Sequence, residues 1–163
     1  MKGVTHIAAG TVAGMALGYS LQLPLPGIAV TTLTSMVAAT IPDIDTHTSK
    51  AGKKLGIGSW LIQHIVGHRT LFHAPILYLA LAILAYRMYP TAAVGILATL
   101  CGILSHLLLD LLNPMGIPLL YPFPKRYRLA RFRSGGTADE ILRKLLIVIA
   151  VVFAIYLLLN AKF

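Results

Sequence analysis

Apolar residues fill this chain in five long blocks, set apart by short breaks that carry nearly all of its polar and charged side chains. The blocks run about His6 to Leu23, Ile28 to Ile41, Phe72 to Tyr89, Thr91 to Leu112 and Ile141 to Leu159. Most approach the roughly 20 residues that an α-helix needs to cross about 30 Å of hydrocarbon. The second is short, and a tilted or partly re-entrant segment suits it as well as a full crossing. Pro42 ends the second block and Asn113-Pro114 the fourth, because a proline disfavours helix in the residue before it. Gly10, Gly14 and Gly18 recur at every fourth position of the first block and predict a smooth helix face for close packing. The fold class expected is all-α, an integral membrane helical bundle of about five spans.

Composition agrees with that solvent. Of 163 residues, 57% are hydrophobic and only 12% charged, at a mean hydropathy of +0.79. Soluble domains carry about 25% charged residues. The length suits a single domain over residues 1–163, with no internal repeat and no low-complexity linker. Lys2 leads into an apolar run studded with glycine, so the first block reads as a retained span and not as a removable signal peptide. Cys101, the one cysteine, falls inside the fourth block, which excludes an intrachain disulfide and a thiolate metal cage.

Charge sets the orientation. Assigned to the nearest break, Lys2, Lys50, Lys53, Lys54, Arg69, Lys125, Arg126, Arg128, Arg131, Arg133, Arg143 and Lys144 share one side, against Arg87 and Lys162 opposite. A bias of twelve to two predicts a cytoplasmic N-terminus and, after five spans, an external C-terminus. The stretch from Pro124 to Arg133 mixes five basic residues with Tyr127, Leu129 and Phe132, as a cationic segment lying against anionic lipid would. Nothing else in the chain suggests nucleic acid.

The ligand-capable residues sort onto that same side. His6 opens the first span, Asp43 and Asp45 follow the second, His68 and His73 precede or open the third, His106 and Asp110 close the fourth, and Glu140 opens the fifth. Starts of odd spans and ends of even spans share one membrane level, so these residues are expected at one face. An acid near a bilayer is costly and usually functional. His106 and Asp110, four apart, differ by about 40° around a helix and about 6 Å along it, close enough to share a metal or to hydrogen-bond each other.

Asp43 and Asp45 would project to one side of an extended segment and repel unless a cation lay between them; capping of the preceding span is the alternative. His68 and His73 lie about 140° apart on a continuous helix, so a shared site needs a break near Gly67 or two metals. Arg69 has the paired donors that grip a phosphate, though it also serves the charge bias. His6 alone is a weak signal, and His47 and His64 weaker still. Thr137 and Glu140 have the spacing of a capping box, which leaves Glu140 balanced between helix cap and ligand.

The ordered set Thr5-His6, Pro42-Asp43-Ile44-Asp45, His68-Arg69-Thr70 with His73, Ser105-His106 with Asp110, Asn113-Pro114-x-Gly116 and a late glycine-rich segment with Glu140 resembles the YdjM-type inner-membrane proteins, classed as membrane-bound metal-dependent hydrolases. It is distantly similar to the all-α, zinc-dependent phospholipase C fold, whose helical His and Asp ligands resemble the His106 and Asp110 pair. That resemblance implies two or three divalent ions, Zn²⁺ first and Mn²⁺ second, and a phosphate-containing membrane lipid as substrate. It also implies metal-activated water, with Asp43 as base and Arg69, joined by Arg133, holding the phosphate. A transporter would instead place ionisable groups near the midplane with access from both sides. A metal-stabilised scaffold would bind metal without turnover. Oligomeric state is not legible.

Overall fold

The computed structural model describes residues 1–45 and 71–160, with Asp45 described in its backbone only. Five α-helices occupy the positions of the five apolar blocks: α1 Gly3–Ser20, α2 Leu25–Ala38, α3 Pro75–Met88, α4 Ala93–Asp110 and α5 Thr137–Leu159. No strand occurs among the described residues, and the nearest approach to one is an isolated antiparallel bridge between Ile117 and Tyr127. Among the described residues three segments are long and apolar enough to cross a membrane, Leu25–Ile44, Pro90–Asp110 and Thr137–Leu159. Helix α3, at 14 residues, is apolar but short.

Local sequence explains the helix ends. At the close of α1, Gln22 adopts a left-handed φ of 53°, and the amides of Gln22 and Leu23 turn back to the carbonyls of Tyr19 and Gly18. This pair of bonds satisfies carbonyls that the helix end would otherwise orphan. Pro26 then falls in the first turn of α2, where a missing N–H costs nothing. Ala74 is extended because Pro75 follows it, and Pro75 opens α3.

Helix α1 packs on α2, α4 and α5, α2 also on α4, and α3 lies on the outside of α4. The glycines expected to make a smooth face do so. A Cβ on Gly10 would come within 2.6 Å of the Ala39 Cβ, and one on Gly14 within 2.6 Å of the Thr31 carbonyl oxygen. The Thr31 hydroxyl donates across the same seam to the Gly14 carbonyl at 3.0 Å. Gly102 of α4 is tighter still, since its Cβ would stand 2.1 Å from the Ser35 carbonyl oxygen. Two α-helices thus approach α2 at nearly backbone contact, which interhelical van der Waals packing in lipid rewards.

Two apolar clusters close the end of the bundle where α1 and α5 begin and α2 and α4 finish. One is built on Ala38, Tyr78, Ile103, Leu107, Leu111 and Ile117, the other on Met1, Ala9 and Leu109 with Phe132, Leu142 and Leu146 packed against it. The connection from α4 to α5 folds back over this end, its Leu129 and Phe132 amides donating to the Leu111 and Leu112 carbonyls. By contrast, α5 leaves Val148, Val152, Ile155 and Leu159 exposed. An apolar surface of that extent, on a helix long enough to cross a membrane, is suited to contact with lipid.

Candidate metal centre

Five of the ligand-capable residues converge beneath that closed end. His6 comes from the first turns of α1, Asp43 from a 3₁₀ turn over Pro42–Asp45, His73 from a 3₁₀ turn over Leu71–His73, and His106 and Asp110 from the last turns of α4. Their donor atoms form two overlapping triads, His6 with His106 and Asp110, and Asp43 with His73 and His106; within each, the atoms lie within 4.8 Å of one another. Asp110 Oδ2 is 3.3 Å from His73 Nε2 and 3.6 Å from His106 Nε2, while its Oδ1 is 3.6 Å from His6 Nε2. His106 Nε2 also faces Asp43 Oδ1 at 3.8 Å. The His6 and His106 rings stack with centroids 3.7 Å apart, and the His73 ring meets His106 edge-on.

The tautomer of His106 follows from its other nitrogen. His106 Nδ1 lies 2.7 Å from the Ala39 carbonyl oxygen, and a carbonyl only accepts, so Nδ1 carries the proton. In the neutral ring Nε2 is then a bare lone pair. It is buried, has no hydrogen-bond partner among the described residues, and points between two carboxylates that also accept. A ring lone pair set between two carboxylates fits a cation, and a backbone bond that fixes the far ring nitrogen is the usual outer support of a metal-binding histidine. Three imidazoles with two carboxylates suit Zn²⁺ or Mn²⁺ better than the all-oxygen shells of Mg²⁺ or Ca²⁺.

Burial is uneven. His6, His73, His106 and Asp110 are sealed, with side chains at most 1% exposed, whereas Asp43 keeps 19% of its side chain open. Asp110 has further support: Asn113 donates its amide to Oδ1, and the Met1 ammonium lies 3.3 Å from the same oxygen. Asn113 is itself buried.

Several expectations need correction. Glu140 is not brought to the cluster; it is exposed and pairs with Arg143 at 3.2 Å and Lys144 at 3.7 Å. Nor does it form a capping box, because the helix is capped at Gly136 with no side-chain bond. The residue beside it does the buried work. Asp139, 1% exposed, accepts from the Thr5 hydroxyl at 2.7 Å, the Gly135 amide at 2.7 Å and the Lys2 amide at 3.0 Å, and so ties the start of α5 to the turn that carries His6. It shares a helix face with Leu142 and Leu146, both packed inward, a choice of face that the sequence does not mark. The Pro42–Asp45 segment is a 3₁₀ turn and not extended, so the alternation that would set Asp43 and Asp45 on one side does not operate. His73 is set apart from α3 by the extended Ala74 ahead of Pro75, and the break expected near Gly67 lies outside the described residues. His47, His64, His68 and Arg69 lie outside the described residues.

The family model of the YdjM inner membrane proteins matches residues 1–162. The chain belongs to that family. Among similar proteins, YvsG of Bacillus subtilis is 30% identical over 162 residues, 99% of both chains. The inner membrane protein YdjM of Escherichia coli is 34% identical over 99 residues, which are 58% of this chain and 50% of that protein. A YdjM of Shigella flexneri matches to the same extent. No solved structure matches, so the likeness to phospholipase C stays an expectation of the residues alone.

Proposed function

We propose that this YdjM-family chain is a metal-dependent hydrolase that cleaves a phosphoester of a lipid or lipid-linked molecule at the cytoplasmic face of the inner membrane. The observation that carries the reading is the bare Nε2 of His106, held between the Asp43 and Asp110 carboxylates and stacked on His6. His6, Asp43, His73, His106 and Asp110 would hold the ions, two overlapping triads suiting more than one. A divalent ion bound there supplies Lewis-acid polarisation of a phosphoryl oxygen and lowers the pKa of water to about 7.

The chain's own residues divide the remaining tasks by exposure. Asp43, the one open member of the cluster, can take a proton from attacking water at its carboxylate while the sealed residues keep their geometry. The Ala39 carbonyl holds the His106 ring, and Asn113 holds the Asp110 carboxylate. Arg69 and Arg133 are assigned to the phosphate by their paired donors. The twelve basic residues on the side of the cluster support the cytoplasmic placement.

A second reading draws on the burial of four of the five ligands, because closed sites are characteristic of structural metals. That reading makes the metal a brace without turnover. The test is elemental analysis of detergent-purified protein beside folded His106→Ala and Asp110→Ala variants, followed by a phospholipid turnover screen. About two zinc ions per chain, lost in the variants, together with phosphate-ester cleavage supports the hydrolase. Metal without cleavage of any phospholipid class supports the brace. No stoichiometric metal after supply of Zn²⁺ or Mn²⁺ overturns both.

A further inference from the structure

Beside the cluster, α2, α3 and α4 enclose an apolar groove of about 510 Å³. We infer that this groove holds one acyl chain of the phospholipid whose phosphate is presented to the His and Asp cluster. The inference rests on the function proposed above and names the part of the substrate that the cluster does not reach.

Continuity is the first argument. At one end the groove is walled by Ile41, Tyr78 and Ile103. Ile41 is two residues from Asp43, and Ile103 precedes His106 by less than one turn of α4. The Tyr78 hydroxyl donates to the carbonyl of Phe72, the neighbour of His73. This end of the groove is therefore built from residues next in the chain to those that carry the cluster.

Length is the second. From Ile103 the groove follows α4 to Ala92, eleven residues or about 16 Å at the helical rise. That is close to half of a hydrocarbon core about 30 Å thick, the depth of one leaflet. Two of the three hydroxyls in the wall are spent within the protein, Thr99 on the Gly95 carbonyl and Tyr78 on the Phe72 carbonyl, which suits the wall to hydrocarbon.

Lipid tails are as apolar as this wall, so the groove gains nothing over the bilayer from the hydrophobic effect. What selects it is the tether: a phosphate held at the cluster fixes the chain beside the mouth and raises its local concentration. Occupancy by a substrate chain must then depend on the cluster, whereas occupancy by ordinary bilayer lipid must not.

The experiment uses phosphatidic acid with a photoreactive diazirine at the end of one acyl chain, incorporated with the full-length protein into phosphatidylethanolamine and phosphatidylglycerol vesicles. Cross-links are mapped by peptide mass spectrometry, and metal is measured on the same samples. Wild type is expected to label on the α3 and α4 walls. Gly95→Leu, at a position where an added Cβ meets no atom within 4 Å, fills the groove, keeps the metal and loses that labelling about tenfold or more. His106→Ala loses it too. Groove labelling unchanged by His106→Ala, with metal present in wild type, overturns the inference and leaves the proposed function standing. So does labelling that maps elsewhere, including to residues 46–70. Absence of metal from wild type overturns the inference together with the function it rests on.

Discussion

Gly102→Ala tests whether the helix seam sets the geometry of the candidate metal centre. Gly102 lies over Ser35 as His106, one turn on, lies over Ala39, so the two pairs are successive rungs of one contact between α4 and α2. The new methyl would stand 2.1 Å from the Ser35 carbonyl oxygen and 2.9 Å from the Ser35 Cα, both backbone atoms that no rotamer change can move. Restoring ordinary contact requires the helices to part by about 1 Å. The bond from His106 Nδ1 to Ala39 is 2.7 Å long, so a shift of that size takes it past the useful limit of about 3.2 Å. Loss of such a ring-orienting bond typically lowers metal affinity about 10-fold to 100-fold, and overpacking adds about 1–3 kcal/mol of destabilisation.

The assay is Zn²⁺ competition against a chelating dye on purified Gly102→Ala, wild type and Gly95→Ala. The last is the control, on the same helix with the same residue change, because a Cβ there meets nothing. Gly95→Ala should bind as wild type does. Equal affinity of Gly102→Ala and Gly95→Ala would refute the claim that this close approach positions His106.

Two further outcomes follow from the α1 and α5 junction. Asp139→Ala leaves the Thr5 hydroxyl and the Lys2 and Gly135 amides without their acceptor; removing hydrogen bonds to a buried charge costs about 1.5–3 kcal/mol, which should lower the thermal midpoint in detergent by about 3–12 °C. A double-mutant cycle with Thr5→Val should return a coupling of about 1 kcal/mol or more, and additive effects would deny the contact. Glu140→Gln removes only exposed ion pairs, so stability should change by less than about 0.5 kcal/mol, with metal content unaltered by elemental analysis.

The helices were legible because apolar length and proline breaks dominate their ends, and the gathering of His6, Asp43, His73, His106 and Asp110 was legible because helices that alternate in direction bring such ends together. What sequence could not decide was rotation about a helix. Asp139 and Glu140 are about 100° apart on α5, and a helix apolar over most of its circumference gives little sign of which acid turns inward. Packing of Leu142 and Leu146 against α1 and α4 decides it. The extended reading of Pro42 to Asp45 failed because the Ile44 amide closes a local turn on the Ile41 carbonyl. The supports of His106 and Asp110 were equally out of reach, since a backbone carbonyl such as that of Ala39 carries no mark in the sequence.

The hydrogen bonds from Lys2 and Thr5 to Asp139 join the beginning of the chain to residues more than 130 positions later. Synthesis runs from the N-terminus, so α5 is the last of the five helices to be made. Until α5 docks, the turn bearing His6 lacks its clamp, so the cluster reaches its final form only in a chain translated through the last helix.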